Sequence, residues 1–218
     1  MKSKYIHIYD GEFSSSNKEH GDVLSLACII IQAETLEFVD SFVGYGCPRS
    51  FVKEAWNPYA ENIHGISKAQ AKTFPTQRTL AIDLLKFLKP YKNDDDSSMP
   101  MIIHASSYVD YNFITSMYQK VGIVGSIEKV MTKENVVRTD LIFKQFLKQK
   151  GLPCNKTNLK LMAQHFGVSL KHHECMSDTE ACKTVFVKMV KFFKGRAPLE
   201  SPTIDYSAFN NTVQAFQA

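Results

Sequence analysis

Tyr5-Ile6-His7-Ile8-Tyr9-Asp10-Gly11-Glu12 reads as a β-strand that ends in acid. Side chains alternate between the faces of a strand, so Asp10 and Glu12 share a face with Ile6 and Ile8. Two carboxylates two residues apart on one face lie about 7 Å from each other. Their repulsion is about 0.6 kcal/mol in water and about 2 kcal/mol at an effective dielectric near 20. A frayed, solvated strand end tolerates such a pair cheaply. An inward-facing end needs a cation.

Outward from this stretch, residues 24–31 and 38–43 continue as strands. Ser67-Lys68-Ala69-Gln70 reads as a capping box opening a short helix that Pro75 breaks. Leu80, Leu84, Leu85 and Leu88 then recur at helical spacing up to Pro90. Residues 101–103 form a short apolar strand. Residues 110–121 carry Phe113, Ile114, Met117, Tyr118 and Val121 on one helical stripe. Further helices are expected at 140–149, 158–166 and 178–193, the last opened by a second capping box, Ser177-Asp178-Thr179-Glu180. Strands first, then helices with interspersed strands, indicate a layered α/β or α+β domain. We expect that domain to span residues 1–195. Residues 196–218, with no Lys or Arg after Arg196, read as a loosely ordered C-terminal tail.

Composition narrows the class. A chain of 218 residues with 44% apolar and 22% charged residues can bury a sizeable core, which excludes disordered and fibrous architectures. The net charge is only +4, but it is unevenly spread. Residues 141–196 hold eleven Lys/Arg against Glu174, Asp178 and Glu180, so the remainder is net acidic. Five cysteines with no Cys-x-x-Cys pair do not form a disulfide framework and favour a reducing compartment. No apolar run reaches the roughly 18 residues of a membrane span. The strand pattern begins within five residues of Met1, leaving no room for a signal peptide, so the expected location is cytoplasmic, with no membrane partner.

The chemistry is expected where acids sit on apolar faces. Asp110 lies three and four residues before Phe113 and Ile114, hence on their stripe. Asp178 starts a helix, and His173 precedes it by five residues. Each acid has a plainer role, at a frayed strand end or a helix N-terminus. Together, Asp10, Glu12, Asp110 and Asp178 supply four hard oxygen donors, and His173 supplies a titratable imidazole. Two-metal phosphodiester hydrolysis requires that set. Carboxylates hold two Mg²⁺ or Mn²⁺ ions, and a histidine removes the proton from the attacking water.

In this order the residues resemble the DEDDh 3′→5′ exonucleases, such as RNase T and polymerase proofreading subunits. Further segments carry the likeness: Glu61-Asn62-Ile63-His64-Gly65-Ile66-Ser67, then Phe74-Pro75, then Ile102-Ile103-His104-Ala105 through Asp110-Tyr111-Asn112-Phe113. Arg138-Thr139-Asp140-Leu141, Asn158-Leu159-Lys160-Leu161 and the His173–Asp178 spacing complete it. The resemblance implies an α/β, RNase H-like fold with a five-stranded mixed sheet flanked by helices. It implies Asp10, Glu12, Asp110 and Asp178 as ligands of the two metals and His173 as general base. It places Phe13, His64, Gly65 and Ile66 near the terminal nucleotide.

Three departures stand out. His104 to Asp110 carries one extra residue and has Ala105 where the family usually has Asn, Phe13-Ser14-Ser15-Ser16 follows Glu12, and Ser25 stands where the second strand often carries Glu. The expected activity is release of nucleoside 5′-monophosphates from single-stranded DNA or RNA 3′ ends. The rivals are a degenerate member that binds nucleic acid, or a protein partner through its tail, without cutting, and a small-nucleotide phosphodiesterase. Lys188, Lys191 and Lys194 read either as a solvated helix face or as a phosphate-attracting edge. Cys175 and Cys182 with His172 and His173 match no common zinc spacing. Trp56 and Tyr59 are assigned to the core or a pocket rim.

Overall fold

The computed structural model describes residues 3–94, 97–104, 108–123, 125–153, 156–171 and 173–195. The tail at 196–218, His172 and Ala105 lie outside them. Five strands, β1 (Tyr5–Phe13), β2 (Val23–Gln32), β3 (Phe38–Tyr45), β4 (Met101–Ile103) and β5 (Val136–Arg138), form one sheet in the order β3-β2-β1-β4-β5. The first three are antiparallel neighbours, and β4 and β5 run parallel to β1. The helices are α1 (Pro58–His64), α2 (Lys68–Ala71), α3 (Gln77–Leu88), α4 (Val109–Lys120), α5 (Thr139–Gln149), α6 (Leu159–Phe166) and α7 (Cys175–Lys194).

Strand alternation determines which helices cover which face. Tyr9, Leu26, Cys28 and Ile30 pack on Leu80 and Leu84 of α3 and on Phe113, Ile114 and Met117 of α4. Ile6, Ile8, Ile29 and Ile31 face the other way, onto α5, α6 and α7 through Phe143, Met162, Val185 and Phe186. β2 is buried on both faces, which explains its unbroken apolar sequence. Each fully buried Ile, Leu or Phe contributes about 1.5–3 kcal/mol. This is the mixed five-stranded sheet flanked by helices of the RNase H-like folds.

One expectation needs correcting, and two elements were not anticipated. The last helix starts at Cys175 rather than at Asp178, and Ser177 does not cap it. The Ser177 hydroxyl accepts instead from the Lys171 N–H at 2.9 Å. Asp178 likewise turns back, accepting from the His173 N–H at 3.0 Å. Both first-turn side chains thus satisfy the preceding loop. α1 was not anticipated, although Asn57 caps it by accepting from the Tyr59 N–H, Pro58 opens it and left-handed Gly65 closes it. β5 was also missed: unlike the wholly buried, apolar β4 it ends in Arg138, and only Val137 of its three residues is buried. Trp56 is core, whereas Tyr59 is 72% exposed. The expected caps at Ser67 and Asn158 are present, accepting from the Gln70 and Leu161 N–H groups. Among the described residues, no helix is long and apolar enough to cross a membrane.

Candidate active site

The acids converge where the sheet runs out. β4 ends at Ile103, opposite Tyr9, so β1 continues alone on that side from Asp10 to Phe13. The start of α4 brings Asp110 to this flank. The start of α7 packs on the face carrying Asp10 and Glu12 and brings Asp178. Residues of left-handed backbone lead into both helices: Tyr108 at φ 45° and His173 at φ 66°. Such conformations cost non-glycine residues about 1–3 kcal/mol and persist where surrounding structure enforces them.

Burial of the acids is nearly complete. Glu12 is 9% exposed, and Asp110 and Asp178 are each 4% exposed, which removes the solvated, frayed-end reading. Asp10 keeps some contact with solvent. Its carboxyl is nonetheless held well above the usual range, first by loss of water and then by the negative charges of Asp110, Glu12 and Asp178. Glu12 is pushed up to about 8, by burial first and then by Asp178 and Asp110. Burial also raises Asp110, opposed by the N–H groups of Asp110 itself and of Gly11. Ligand atoms of Glu12, His173 and Asp178 lie within 4.8 Å of one another. Among the described residues, no Lys or Arg forms an ion pair with Asp10, Glu12 or Asp110.

The donor set fits a hard divalent cation. Oxygen ligands dominate, they are crowded, and no Lys or Arg among the described residues pairs with three of them. The structure brings together all five residues expected from sequence. The substrate-side residues are more dispersed. His64 is 8% exposed, its Nδ1 accepts from the Ile66 N–H at 3.0 Å, and its Nε2 has no hydrogen-bond partner among the described residues. Burial lowers its pKa and nearby His173 lowers it further, against the influence of Glu61. Gly65 adopts φ 70° with open space where a Cβ would stand. Ile66 packs with Leu24 and Trp56. The Phe13 ring stacks on Phe113, centroids 4.0 Å apart, on the opposite face of β1 from the acids. It lies so close under Gly11 that a Cβ there would meet its Cζ at 2.9 Å.

Other side chains find structural roles. Lys188 donates to the Phe166 carbonyl at 2.7 Å, tying α7 to α6. His104 Nδ1 lies 2.9 Å from the Thr139 hydroxyl. Cys182 is buried beside Thr139. Cys175 was read only as a weak zinc candidate, but its thiol donates to the Asp10 carbonyl at 2.9 Å. Burial and the neighbouring acids raise that thiol well above its ordinary value. Its spacing of three residues before Asp178 was the available signal.

The exonuclease family of the RNase T type matches residues 7–186. A DNA polymerase III of the PolC type from Staphylococcus saprophyticus is 24% identical over 192 residues, covering 88% of this chain. The chain spans only 12% of that relative's length. The nuclease domain of 3′hExo, a DEDDh family member bound to rAMP, superposes with a TM-score of 0.69 at 16% identity. That match covers 92% of this chain and 98% of the other. The zinc-bound form of the E. coli ExoI–ssDNA complex gives 0.68 at 16% identity, over 89% of this chain and 42% of the other.

Proposed function

This chain belongs to the RNase T-type exonuclease family, and we propose that it is a metal-dependent 3′→5′ exonuclease acting on single-stranded DNA or RNA ends. The observation that carries this reading is the convergence of Asp10, Glu12, Asp110 and Asp178 on one buried locus, with His173 against Glu12 and Asp178. The four acids would hold two Mg²⁺ or Mn²⁺ ions. When bound, such ions supply the positive charge that stabilises a phosphoryl group under attack.

The remaining chemistry belongs to the chain's own residues. The His173 imidazole accepts a proton from the attacking water. The water oxygen bonds to phosphorus, the P–O3′ bond breaks, the O3′ left on the shortened strand takes up a proton to become a hydroxyl, and the terminal unit is released as a nucleoside 5′-monophosphate. Asp178 accepts from the His173 backbone N–H, which fixes the loop carrying the base relative to one of the acids. His64, beside His173, stands at the end of α1 with Gly65 and Ile66 in the turn that follows; these three are assigned to the terminal nucleotide, and Phe13, on the other face of β1, is assigned to it from the strand end. The rAMP and ssDNA complexes of the structural neighbours support a single-stranded end as substrate. The test is release of mononucleotides from a 3′-labelled strand in Mg²⁺ or Mn²⁺, abolished by EDTA. Full turnover in His173→Ala, with unchanged pH dependence, would remove the assigned base.

A further inference from the structure

We propose that the Cys175 thiol and the Ser25 hydroxyl form a polar tie that holds Asp10 in register with Asp178, making both of them positioning residues for the acid cluster. The proposal rests on the reading of those acids as a metal-ligand set.

Three elements meet at one sulfur. Cys175 is the first residue of α7, and Asp178 follows three residues later on the same helical face. The thiol donates to the Asp10 carbonyl at 2.9 Å, and the Ser25 side chain is near enough to oppose the rise in the thiol's pKa. Ser25 lies on β2 as the register partner of Glu12, so its side chain stands on the same face of the sheet as the acids. Cys175 is 6% exposed and Ser25 3% exposed. One buried link therefore joins β1, which carries Asp10 and Glu12, to the helix that carries Asp178.

The helix start lacks the usual alternative. Glu174 occupies the N-cap position without a side-chain cap bond, and His173 before it is left-handed. The first turn is held instead by bonds to neighbouring chain: Ser177 to Lys171, Asp178 to His173 and Cys175 to Asp10. Of these three, only the thiol reaches β1. A cysteine serving merely as a small buried hydrophobe would be replaceable by alanine or valine without effect on the acids. A tie requires the donor.

The experiment is Mn²⁺ titration of the metal-free full chain, read by the electron paramagnetic resonance of free Mn²⁺, alongside its melting temperature. For Cys175→Ala and Cys175→Val we expect affinity weakened roughly three- to tenfold, the range of one lost buried hydrogen bond. Cys175→Ser should recover most of the loss. Ser25→Ala should move affinity in the same direction by a smaller factor, and it decides the matter if the Cys175 variants fail to fold. Mn²⁺ affinity unchanged in all variants, with normal binding by the parent, overturns the tie alone. Absence of Mn²⁺ binding by the parent overturns the metal reading beneath it.

Discussion

The protein buries carboxylates in two different ways. Asp22 is 3% exposed and surrounded by donors: the Arg49 N–H at 2.8 Å, Arg49 Nε at 3.1 Å and Lys120 Nζ at 3.4 Å. Asp140, 8% exposed, takes a two-point contact from Arg138 at 3.1 and 2.7 Å. Glu12 and Asp110 are buried as deeply as these, yet no Lys or Arg among the described residues pairs with them. An uncompensated buried charge is costly, so described residues that supply cations at Asp22 and Asp140 but none at Asp10, Glu12 and Asp110 leave room there for a bound cation. Depth of burial alone does not separate structural acids from functional ones. The provision of a counter-charge does.

The sharpest way to break this contrast is to remove acids of the second kind. Asp10→Ala and Asp110→Ala should each lower mononucleotide release by about a thousandfold or more, with the melting temperature of the metal-free protein unchanged or raised. Survival of full turnover in either variant would dissolve the distinction. Asp22→Asn should do the reverse. Breaking a buried pair from one side costs about 3 kcal/mol, or about 6–12 °C in melting temperature for a domain of this size. Mn²⁺ affinity should be retained.

Proton linkage offers a test without loss of any carboxylate. An ordinary glutamate titrates near 4.5, and folding raises Glu12 to about 8. Between those values the folded, metal-free protein binds more protons than the unfolded chain, so stability must fall as pH rises through that window. In EDTA, the melting temperature should be several degrees lower at pH 8.5 than at pH 5.5. Saturating Mg²⁺ should flatten that slope, because the cation replaces the protons. Glu12→Gln should shrink the slope without metal. A metal-free protein equally stable at both pH values would show that the acids are not crowded in solution.

Much of the cluster was legible because it rests on periodicity. Alternation along β1 placed Asp10 and Glu12 with Ile6 and Ile8, and helical spacing placed Asp110 with Phe113 and Ile114. Of the counter-charged acids, Asp22 was not legible. Asp22 has partners 27 and 98 residues away, so nothing local marks it as buried. The same holds for Cys175, whose partner at Asp10 is 165 residues distant. The start of α7 was misplaced because Ser177 and Asp178 look like caps in sequence, while in the fold they bond to the loop before them. Left-handed Tyr108 carries no sequence mark at all, since neither glycine nor asparagine stands there.

Tyr108 also sets the finest test of whether the two kinds of acid are independent. Its ring lies 5.2 Å from Lys133 Nζ and 5.7 Å from the Arg138 guanidinium, and it stands two residues before Asp110. Arg138 thus satisfies a structural acid while lying over the ring of the residue that leads into the candidate site. Arg138→Lys keeps the charge but loses the planar two-point grip on Asp140 and the flat face offered to the ring. With the pair largely buried, at 16% and 11% side-chain exposure, the expected cost is about 1 kcal/mol, or about 2–4 °C in melting temperature. If the compensated and uncompensated acids are separate systems, Mn²⁺ affinity stays at the parental value while stability drops. A parallel fall in both would mean that the turn through Tyr108 transmits the Arg138–Asp140 pairing to Asp110. In that case the counter-charge at Asp140 would serve the site as well as the fold.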